Sequence, residues 1–317
     1  MQVADYLAQA VDAGHLDKNI IAPVLHLCDC AKKIAKLASA NGIGNAALGQ
    51  LTGTENSDGD GQKALDVMAD EIICASLNET GVRAYLSEER DGPVLINPDS
   101  SFVVACDPLD GSSNIDTNLT IGTIFSIYKT TDDSWFAAGR NQQVAGFFAY
   151  GPQTALLLTI GQGVAGFCLN DAGQFEKMDW QIAIAEQTSE FAINMANQRY
   201  WQTPINNYIH GLLAGADGPR GRNFNMRWAG SLVADAWRIF RRGGIFLYPQ
   251  DSRKGYETGR LRLVYEAHPV AFLVEQAGGR ASDGKQDIMD IIPQSFHQRV
   301  PLIFGSSEEV DRVTVAE

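Results

Sequence analysis

Five short β-rich runs, spread from about residue 84 to residue 165, restrict the folds open to this chain. Turn-forming Gly, Pro, Asp and Asn residues separate them, and several runs are apolar on both faces. A strand of that kind needs helices above and below its sheet. The pattern therefore predicts an α/β fold built in layers. The runs read RAYLSEE, FVVACD, GTIFSIYKT, VAGFFAYG and TALLLTIG.

Two helical segments precede these strands. Residues 17–40 place apolar side chains at helical spacing after Asp17, a candidate N-cap, and Pro23 is expected to end a first turn there. Residues 62–81 continue the helical pattern until Gly81 closes it. Because each segment has an apolar face, the two helices are expected to pack together.

The chain after about residue 185 passes through a polar stretch and then alternates strands and helices again. Its 317 residues exceed the length at which a single core usually keeps growing. We therefore expect an N-terminal α/β domain over residues 1–187 and a C-terminal α/β domain over residues 188–317. The second is predicted to contain helix SLVADAWRIFRRGG, strand IFLYP, strand RLRLVYE, helix HPVAFLVEQAGG and strand PLIFGS.

The charge balance excludes some partners. The chain has 25 Lys and Arg residues against 38 Asp and Glu, a net charge of −13. A nucleic acid or an anionic membrane would need a basic face, whereas a small anionic substrate stays compatible because bound cations reverse the local charge.

Targeting and cysteine patterns point to the cytoplasm. No segment approaches the roughly 20 apolar residues of a membrane span, and the N-terminus lacks the pattern of a signal peptide. The five scattered cysteines match neither zinc ligation nor a redox C-x-x-C motif. We therefore expect a cytoplasmic protein with reduced thiols.

The segment GQGVAG, residues 161–166, matches the G-x-G-x-x-G pattern of dinucleotide-binding loops. A helix must follow such a loop so that its N-terminus meets the pyrophosphate, but the next residues, FCLND, are strand-like. A glycine turn between two strands is the better interpretation.

The segment NSDGDGQKALDV, residues 56–67, resembles a calcium-binding loop. Its twelfth position, which supplies a bidentate glutamate in EF-hands, is Val67. An EF-hand is therefore disfavoured, while Asp60 stays a candidate oxygen ligand.

Seven carboxylates stand at the ends of predicted elements. A lone acid in such a place is usually a solvated turn residue or a helix cap. Five of these seven, however, follow apolar runs that would bury them, and ligands gather at the carboxyl ends of strands in open α/β sheets. Oxygen ligands without histidine suit Mg²⁺ or Mn²⁺ rather than Zn²⁺. The seven are Glu88 and Glu89, Asp107 and Asp110, and Glu266, which follow strands, and Asp60 and Asp66 beside the second helix.

The residues DGSSN complement these acids. Gly111, Ser112 and Ser113 are expected to open a helix, so that backbone N–H groups and the positive end of the helix dipole face an anion. Pro108 stiffens the turn and leaves the carbonyl of Leu109 as a further ligand. Acids that bind metal next to amides that bind phosphate predict a site of phosphoryl transfer.

Together these motifs resemble class I fructose-1,6-bisphosphatases. The similarity extends from about residue 50 to residue 306 through GDGQKALD, LSEE, DPLDGSSNID, GIFLYP, GRLRLVYE and FLVEQAGG. It implies the five-layer α-β-α-β-α fold of the metal-dependent, lithium-sensitive sugar phosphatases, and a homotetramer. The implied reaction is hydrolysis of the 1-phosphate of fructose 1,6-bisphosphate to fructose 6-phosphate and phosphate, in gluconeogenesis or a carbon-fixing cycle.

The resemblance also implies roles for the acidic residues. The ligands of about two or three Mg²⁺ ions per subunit, for which Mn²⁺ is a substitute, correspond to Glu88, Asp107, Asp110, Glu266 and the Leu109 carbonyl, with Asp60 nearby. Asp66 and Glu89 correspond to the pair that orients and deprotonates the attacking water. A sugar bisphosphate carries about −3 to −4 at neutral pH, so it needs such cations to approach these carboxylates.

The substrate side follows from the same resemblance. Gly111, Ser112 and Ser113 correspond to the residues that hold the 1-phosphate, and Arg227 is expected to reach in from a neighbouring subunit. Arginines suit the far phosphate because their planar fork binds it bidentately. The positions around the sugar and its 6-phosphate are Asn194, Arg227, Tyr248, Arg260 and Arg262.

The sequence departs from the family in three places. Members inhibited by AMP carry a Thr-Gly-Glu turn, a Lys-Tyr pair and a Tyr-Arg pair, where this chain has LDKNIIAPVLH, Ser101-Phe102 and Tyr128-Lys129. AMP inhibition is therefore expected to be weak or absent.

The segment KTTDDSWFAAGRN lacks the cysteine-bearing loop of the plastid enzymes, so no thiol switch is expected. Trp228 stands where a tyrosine is common, and NMANQRYW lacks the usual Asn-Glu-Gly-Tyr pattern, which makes sedoheptulose 1,7-bisphosphate a credible additional substrate.

Other functions stay open at this stage. A sedoheptulose-1,7-bisphosphatase or bifunctional sugar bisphosphatase is the main alternative, and an inositol-type monophosphatase is less favoured because the arginines indicate a second phosphate. A cation-binding module without turnover would bind metal but release no phosphate. A haloacid-dehalogenase phosphatase is disfavoured because its two aspartates lie two residues apart, whereas Asp107 and Asp110 are three apart.

Overall fold

The computed structural model describes residues 1–40, 51–55, 61–130 and 135–314, and for 51–55, 61 and 62 it describes the backbone. None of the helices in this part of the chain is long and apolar enough to cross a membrane. These helices are α1 (Val3–Asp12), α2 (Ile21–Ser39), α3 (Ala64–Leu77), α4 (Thr203–Leu213), α5 (Leu232–Arg242), α6 (His268–Gln276) and α7 (Ser307–Thr314).

The strands fall into an N-terminal and a C-terminal group. The first group is β1 (Leu51–Glu55), β2 (Gly61–Lys63), β3 (Ala84–Ser87), β4 (Val94–Leu95), β5 (Phe102–Asp110), β6 (Ile121–Lys129), β7 (Gln142–Tyr150), β8 (Thr154–Thr159), β9 (Val164–Leu169) and β10 (Phe175–Lys177). The second group is β11 (Glu190–Ala192), β12 (Asn225–Met226), β13 (Ile245–Tyr248), β14 (Leu261–Arg262), β15 (Arg280–Ser282), β16 (Arg299–Val300) and β17 (Leu302–Gly305).

Two large sheets contain most of these strands, and the pairs β1-β2 and β14-β16 form two small ones. The first has eight strands in the order β10-β9-β8-β7-β6-β5-β3-β4, and the second has five in the order β12-β11-β13-β17-β15. In the first sheet β3 and β5 run parallel, while β5 pairs antiparallel with β6. Because β3 and β5 are parallel neighbours, the residues that follow them leave the sheet at the same edge.

The elements stack in five layers. Helices α1, α2 and α3 pack on one face of the first sheet, in a core that includes Leu27, Ile73 and Phe148. Helices α5 and α6 lie between the sheets, where Phe147 and Phe304 share a second core. Helices α4 and α7 cover the outer face of the second sheet. The order α-β-α-β-α confirms the layered α/β fold predicted from the sequence.

The two predicted N-terminal helices pack against each other, as expected. Nδ1 of His26 on α2 lies 3.0 Å from Oγ of Ser76 on α3. The thiol of Cys30 donates to the Ile72 carbonyl at 3.6 Å. These contacts run along the apolar faces that the periodicity indicated.

The glycine segment at residues 161–166 is a turn between strands, which confirms the sequence interpretation. It joins β8 to β9, and Gly161 and Gly163 adopt φ values of 80° and 79°. Strand β9, and not a helix, comes directly after this turn, so the dinucleotide motif lacks the helix N-terminus that it requires.

Several predicted boundaries were wrong. Asp17 caps a 3₁₀ turn over Lys18–Ile20 by accepting the N–H of Asn19, and α2 then begins at Ile21. Pro23 lies inside the first turn of α2, where its missing N–H costs nothing. At the other end of the pair, α3 stops at Leu77, before Gly81.

The segment RLRLVYE is not one strand. Only Leu261–Arg262 is extended, and Leu263–Ala267 form a π-helical turn that runs into α6. Within this turn the carboxylate of Glu266 accepts the backbone N–H of Arg262 at 2.5 Å. A buried apolar run gives no periodicity that separates a strand from a buried helical turn.

Candidate active site

The parallel pair β3-β5 brings the first two acids together. Ser87 at the end of β3 is in register with Cys106 on β5. The backbone N–H of Glu88 then donates to the Cys106 carbonyl at 3.1 Å. Glu88 and Asp107 therefore leave adjacent strands at the same level.

An irregularity in β5 adds Asp110 to the same group. The register with β6 shifts between Asp107 and Asp110, and Oδ1 of Asp107 accepts the N–H of Leu109 at 3.0 Å. The Pro108 carbonyl is held by the hydroxyl of Thr123 at 2.8 Å. The bulge lets two acids three residues apart serve one site.

Asp107, Asp110 and Glu266 form the centre of the site. One carboxylate oxygen from each lies within 4.8 Å of the others, and all three residues are buried. Burial raises the pKa of Asp107 well above its ordinary value, and the charge of Glu88 adds to the shift. Burial likewise raises the pKa of Glu266 to about 7. Buried carboxylates this close do not all stay ionised unless a cation compensates them.

Asp110 is also bound by the N-terminus of α5. Its Oδ2 accepts the hydroxyl of Ser231 at 2.9 Å and the N–H of Val233 at 2.9 Å, and its Oδ1 accepts the N–H of Leu232 at 3.3 Å. Burial raises the pKa of Asp110, and these three hydrogen bonds oppose the shift. A helix from the middle layer therefore orients an acid that belongs to the first sheet.

Glu88 is the fourth acid at this centre. Burial raises its pKa well above the ordinary value, and the charge of Glu266 adds to the shift. The guanidinium of Arg262 opposes it, with Nη2 at 3.5 Å from Oε1 of Glu88.

Asp66 and Glu89 lie beside this centre. Oδ2 of Asp66 accepts the N–H of Lys63 at 2.8 Å at the start of α3, while Oδ1 is buried and has no hydrogen-bond partner among the described residues. Burial raises the pKa of Asp66 to about 7, and the charge of Glu89 adds to the shift. Such a carboxyl group is poised to exchange a proton near neutral pH.

The turn after β5 begins with a glycine in the left-handed conformation. Gly111 has φ of 77°, and a Cβ on it would lie 2.8 Å from Cβ of Ser231, so only glycine fits there. Ser112–Asn114 form a single 3₁₀ turn rather than the helix that was predicted. The contribution of a helix dipole is correspondingly small, and the backbone N–H groups of the turn remain the relevant donors.

One cavity of about 400 Å³ unites these groups. A larger surface cavity of about 570 Å³ lies near α4 and α7 and is lined by Pro204, Tyr208 and Arg220 among others, so volume alone does not identify the site. The predicted site residues that line the smaller cavity are Asp66, Glu88, Glu89, Asp107, Leu109, Asp110, Gly111, Ser112, Ser113, Arg260, Arg262 and Glu266.

Of the predicted site residues that the structure describes, three do not line this cavity. Asn194 caps a 3₁₀ turn by accepting the N–H of Ala196 at 3.2 Å. The side chain of Arg227 is 52% exposed. Tyr248 lies on β13, and the nearby charge of Arg260 partly offsets the rise in its pKa that burial causes. Asp60 lies outside the described residues.

Sequence reasoning missed two residues of the site. Lys63 lines the cavity, and its Nζ lies 2.9 Å from a carboxylate oxygen of Asp116. Ser231 binds Asp110 as described above. A serine before the apolar periodicity of α5 is a recognisable N-cap signal, but nothing in the sequence pairs that cap with an acid 121 residues earlier.

Groups of this kind suit phosphoryl transfer: crowded oxygen donors, buried carboxyl groups with raised pKa values and a turn with backbone amides share a single cavity. Within a layered α/β fold, that combination defines a phosphatase.

Comparison with known proteins narrows this class. Residues 8–179 match the family model for the N-terminal domain of fructose-1,6-bisphosphatase, and residues 184–317 match the model for its C-terminal domain. The class 1 fructose-1,6-bisphosphatase of Sinorhizobium medicae is 48% identical over 98% of this chain and 91% of its own length. That of Rhodopseudomonas palustris is 53% identical over 84% of this chain and 78% of its own length.

A solved structure agrees with these matches. The fructose-1,6-bisphosphatase of Leishmania major in holo form superposes with a TM-score of 0.91 at 30% identity, covering 100% of this chain and 98% of its own. The chain belongs to the class I fructose-1,6-bisphosphatase family, which confirms the resemblance noted in its sequence. It is a phosphoric monoester hydrolase.

Proposed function

We propose that this chain hydrolyses the 1-phosphate of fructose 1,6-bisphosphate, releasing fructose 6-phosphate and inorganic phosphate. One observation carries the proposal: the buried carboxylates of Asp107, Asp110 and Glu266 lie within 4.8 Å of one another in a cavity shared with the Gly111–Ser113 turn. The names of the relatives indicate that the sugar is fructose 1,6-bisphosphate.

The donor set fits a hard divalent cation. The acids at the centre offer oxygen donors, and burial raises the pKa of all four, which supports a compensating cation there. We assign about two or three Mg²⁺ ions per subunit, with Mn²⁺ as a substitute. Bound there, such ions would neutralise the phosphoryl charge, acidify the attacking water and stabilise the leaving oxygen. The proposed ligands are Glu88, Asp107, Asp110 and Glu266 through their carboxylates and Leu109 through its carbonyl.

Asp66 is proposed to take the proton from the attacking water, together with Glu89. The buried Oδ1 of Asp66 has no hydrogen-bond donor among the described residues, so it can accept a hydrogen bond from the attacking water. The hydrogen bond from the Lys63 N–H to Oδ2 keeps the carboxyl plane oriented. Its pKa of about 7 matches a group that accepts and returns a proton in each turnover. Asp60 is proposed to act near the same water and cations.

The 1-phosphate is proposed to lie on the turn formed by Gly111, Ser112 and Ser113. The left-handed backbone of Gly111 opens the turn, and two serines follow with their backbone and hydroxyl donors. These residues border the acids in the same cavity, so a phosphoryl group held there would contact both.

The rest of the substrate is proposed to extend toward the C-terminal half, here taken as the domain 188–317. The first sheet ends at Lys177 and the second begins at Glu190, which supports a boundary at 187/188. We assign Arg260 and Arg262 to the cavity side. Asn194 and Tyr248 are assigned to the sugar and its 6-phosphate.

Arg227 is proposed to serve the site of a neighbouring subunit in a homotetramer. Its side chain is 52% exposed within one chain, and its Nε lies 3.9 Å from Glu190. An exposed arginine at that position is available to a partner's phosphate ligand.

Sedoheptulose 1,7-bisphosphate is a second candidate substrate. Trp228 stacks on Phe246 with ring centroids 5.6 Å apart and lies 6.2 Å from Tyr248. An indole ring therefore stands beside the proposed sugar position where a tyrosine is common, so a phenolic hydrogen-bond donor is missing there.

Phosphate release tests both candidates directly. The purified protein would be assayed with the fructose and the sedoheptulose bisphosphates, with Mg²⁺ and with EDTA. We expect Mg²⁺-dependent release from the fructose substrate, abolished by Asp107→Asn and unchanged by Asp99→Asn, which removes a charge from an exposed turn. Metal binding without phosphate release from either sugar would refute the proposal in favour of a cation-binding module.

We propose that this activity takes place in the cytoplasm. The five cysteines are free thiols, which suits the reducing cytoplasm. Gluconeogenesis or a carbon-fixing cycle would each supply the bisphosphate. With a net charge of −13, neither nucleic acid nor an anionic membrane is proposed as a partner.

A further inference from the structure

Arg90 follows Glu88 and Glu89 directly in the chain and connects that turn to two other parts of the molecule. Its Nη2 lies 2.6 Å from Oδ2 of Asp70 on α3. Its carbonyl accepts a hydrogen bond from Nε2 of His297, at 2.9 Å, in the loop before β16. One residue therefore joins the turn after β3 to the outer helical layer and to the C-terminal half.

Asp70 is the buried partner in this arrangement. It lies one helical turn after Asp66 on α3 and is 5% exposed. Besides the guanidinium of Arg90, its carboxylate accepts the hydroxyl of Tyr85 at 3.0 Å, and Tyr85 is a fully buried residue of β3. A single carboxylate thus binds both the strand that leads to Glu88 and the turn that carries Glu88 and Glu89.

Electrostatics explain why such a connection is needed. Glu88 is repelled by Glu266, Glu89 and Asp110, and Asp66 is repelled by Glu89. The turn after β3 therefore carries two acids toward others of the same charge. Apolar packing would hold α3 and β3 together but would not resist a displacement of this turn. A charge-assisted hydrogen bond from the partly exposed Arg90 to the buried Asp70 has a defined length and direction.

We propose that Asp70 and Arg90 form a positioning pair, which holds the Glu88–Glu89 turn in place relative to Asp66 against the repulsion among the acids. The pair touches neither substrate nor metal and acts through Glu88 and Glu89. This inference rests on the proposed function, because it assigns the turn a part in metal binding and in proton transfer.

The test compares Arg90→Gln, Asp70→Asn and the double variant with the parent chain. With Mg²⁺ and fructose 1,6-bisphosphate, we expect each single variant to lower kcat by about tenfold and to leave KM within about twofold, because the phosphate-binding turn is untouched. The Mg²⁺ concentration that gives half-maximal activity should rise several-fold. If the two residues act as one unit, the double variant loses no more activity than either single variant.

Two further variants separate positioning from general stability. Arg90→Lys keeps a cation that reaches Asp70 and is expected to recover most of kcat. Arg280→Gln removes an arginine that pairs with Asp287 at 3.0 Å in the second sheet, and it should leave kcat, KM and the Mg²⁺ midpoint unchanged. Melting temperatures of all variants show whether each is folded.

Calorimetric titration with Mn²⁺ provides a readout independent of turnover. Weaker Mn²⁺ binding by Arg90→Gln, with unchanged binding by Arg280→Gln, supports the inference even if the bisphosphate is not the substrate. The inference is overturned if Asp70→Asn and Arg90→Gln lower the melting temperature but leave kcat and Mn²⁺ affinity as in the parent. Losses that multiply in the double variant, or Arg90→Lys no better than Arg90→Gln, overturn it as well.

Discussion

At the residue scale, Asp66 shows how position gives one carboxyl group two properties. The oxygen that caps α3 is held by a backbone N–H, and the other oxygen is buried beside Glu89. An asparagine keeps the first property, since its side-chain carbonyl also accepts the N–H of Lys63. It lacks the second because an amide does not take up a proton.

Asp66→Asn is therefore expected to lower kcat for phosphate release on the order of 10²-fold or more while KM and the fold are retained. Steady-state kinetics with the bisphosphate and a thermal melt check this. Asp12→Asn, at the exposed end of α1, serves as the matched control. A rate within threefold of the parent, in a folded Asp66→Asn protein, contradicts the assignment of Asp66 as proton acceptor.

At the element scale, the sheets were predictable and one part of the site was not. The strand β5 is buried along its whole length, and that double-sided apolarity was visible in FVVAC. The turn after β3 and the bulge in β5 follow from their Pro, Asp and Glu residues. Glu266 lies beside Asp107 and Asp110, but it belongs to a π-helical turn and not to the predicted strand. No local pattern in the sequence reports the hydrogen bond that it accepts from Arg262.

The union of Asp110 with α5 is a tertiary event that short-range patterns cannot show. Helix α5 begins in the middle layer, and Asp110 ends a strand of the first sheet. Their contact depends on the stacking of layers, which the sequence indicates only in outline.

Ser231→Ala tests the contribution of α5 to the site. It removes a hydrogen bond to Asp110 and the cap of α5, in which the Ser231 hydroxyl accepts the N–H of Ala234 at 3.4 Å. We expect about 1 kcal/mol less stability, together with several-fold weaker activation by Mg²⁺. Urea unfolding and a Mg²⁺ titration of activity measure the two effects.

Ser231→Thr keeps the hydroxyl and is expected to behave like the parent. Ser39→Ala, which removes a hydroxyl at the exposed end of α2, provides the control for a lost side-chain bond. If Ser231→Ala reduces stability and leaves the Mg²⁺ response unchanged, α5 merely packs beside the acids and does not orient them.

At the scale of the whole molecule, the site is a joint product of three layers. Helix α3 supplies Asp66, the first sheet supplies Glu88, Asp107 and Asp110, and the middle layer supplies Glu266. Because these layers bury the acids together, folding and cation binding are coupled. Only the folded state brings these carboxylates together, so their repulsion destabilises the folded state and not the unfolded one.

This coupling predicts a pH-dependent stability without metal. Burial raises the pKa of Glu88, Asp107 and Asp110, and that of Glu266 to about 7, so the folded chain retains protons that the unfolded chain has released. Stability from this source is present below the unfolded pKa of about 4 and is lost as pH rises through the folded values. In EDTA, the melting temperature is therefore expected to fall between pH 5 and pH 7.5.

Mg²⁺ is expected to restore that stability at neutral pH. A concentration of about 100 times its Kd should raise the melting temperature by about 5 °C or more. The double variant Asp107→Asn with Glu266→Gln lacks two of the crowded charges, so it should melt above the parent in EDTA and gain little from Mg²⁺. An equal gain in both proteins would mean that the ion binds elsewhere.

Inhibition by AMP depends on residues from several parts of the chain. The family resemblance implies that AMP inhibition needs a Lys-Tyr pair and a Tyr-Arg pair, where this chain has Ser101-Phe102 and Tyr128-Lys129. Here the Lys129 amine lies 5.1 Å from the centroid of the Phe102 ring and 3.9 Å from a carboxylate oxygen of Asp17, and the buried Tyr128 donates to the Trp135 carbonyl at 3.1 Å. Ser101 supplies no cation, so AMP lacks one charge-assisted hydrogen bond worth about 1.5–3 kcal/mol, and Lys129 does not offer the bidentate fork of an arginine. Its binding is therefore weakened by about tenfold or more. Activity should therefore decline only gradually with AMP.

The triple change Ser101→Lys, Phe102→Tyr and Lys129→Arg should steepen the response, whereas steep inhibition of the parent at micromolar AMP would show that a nucleotide site is built from other residues.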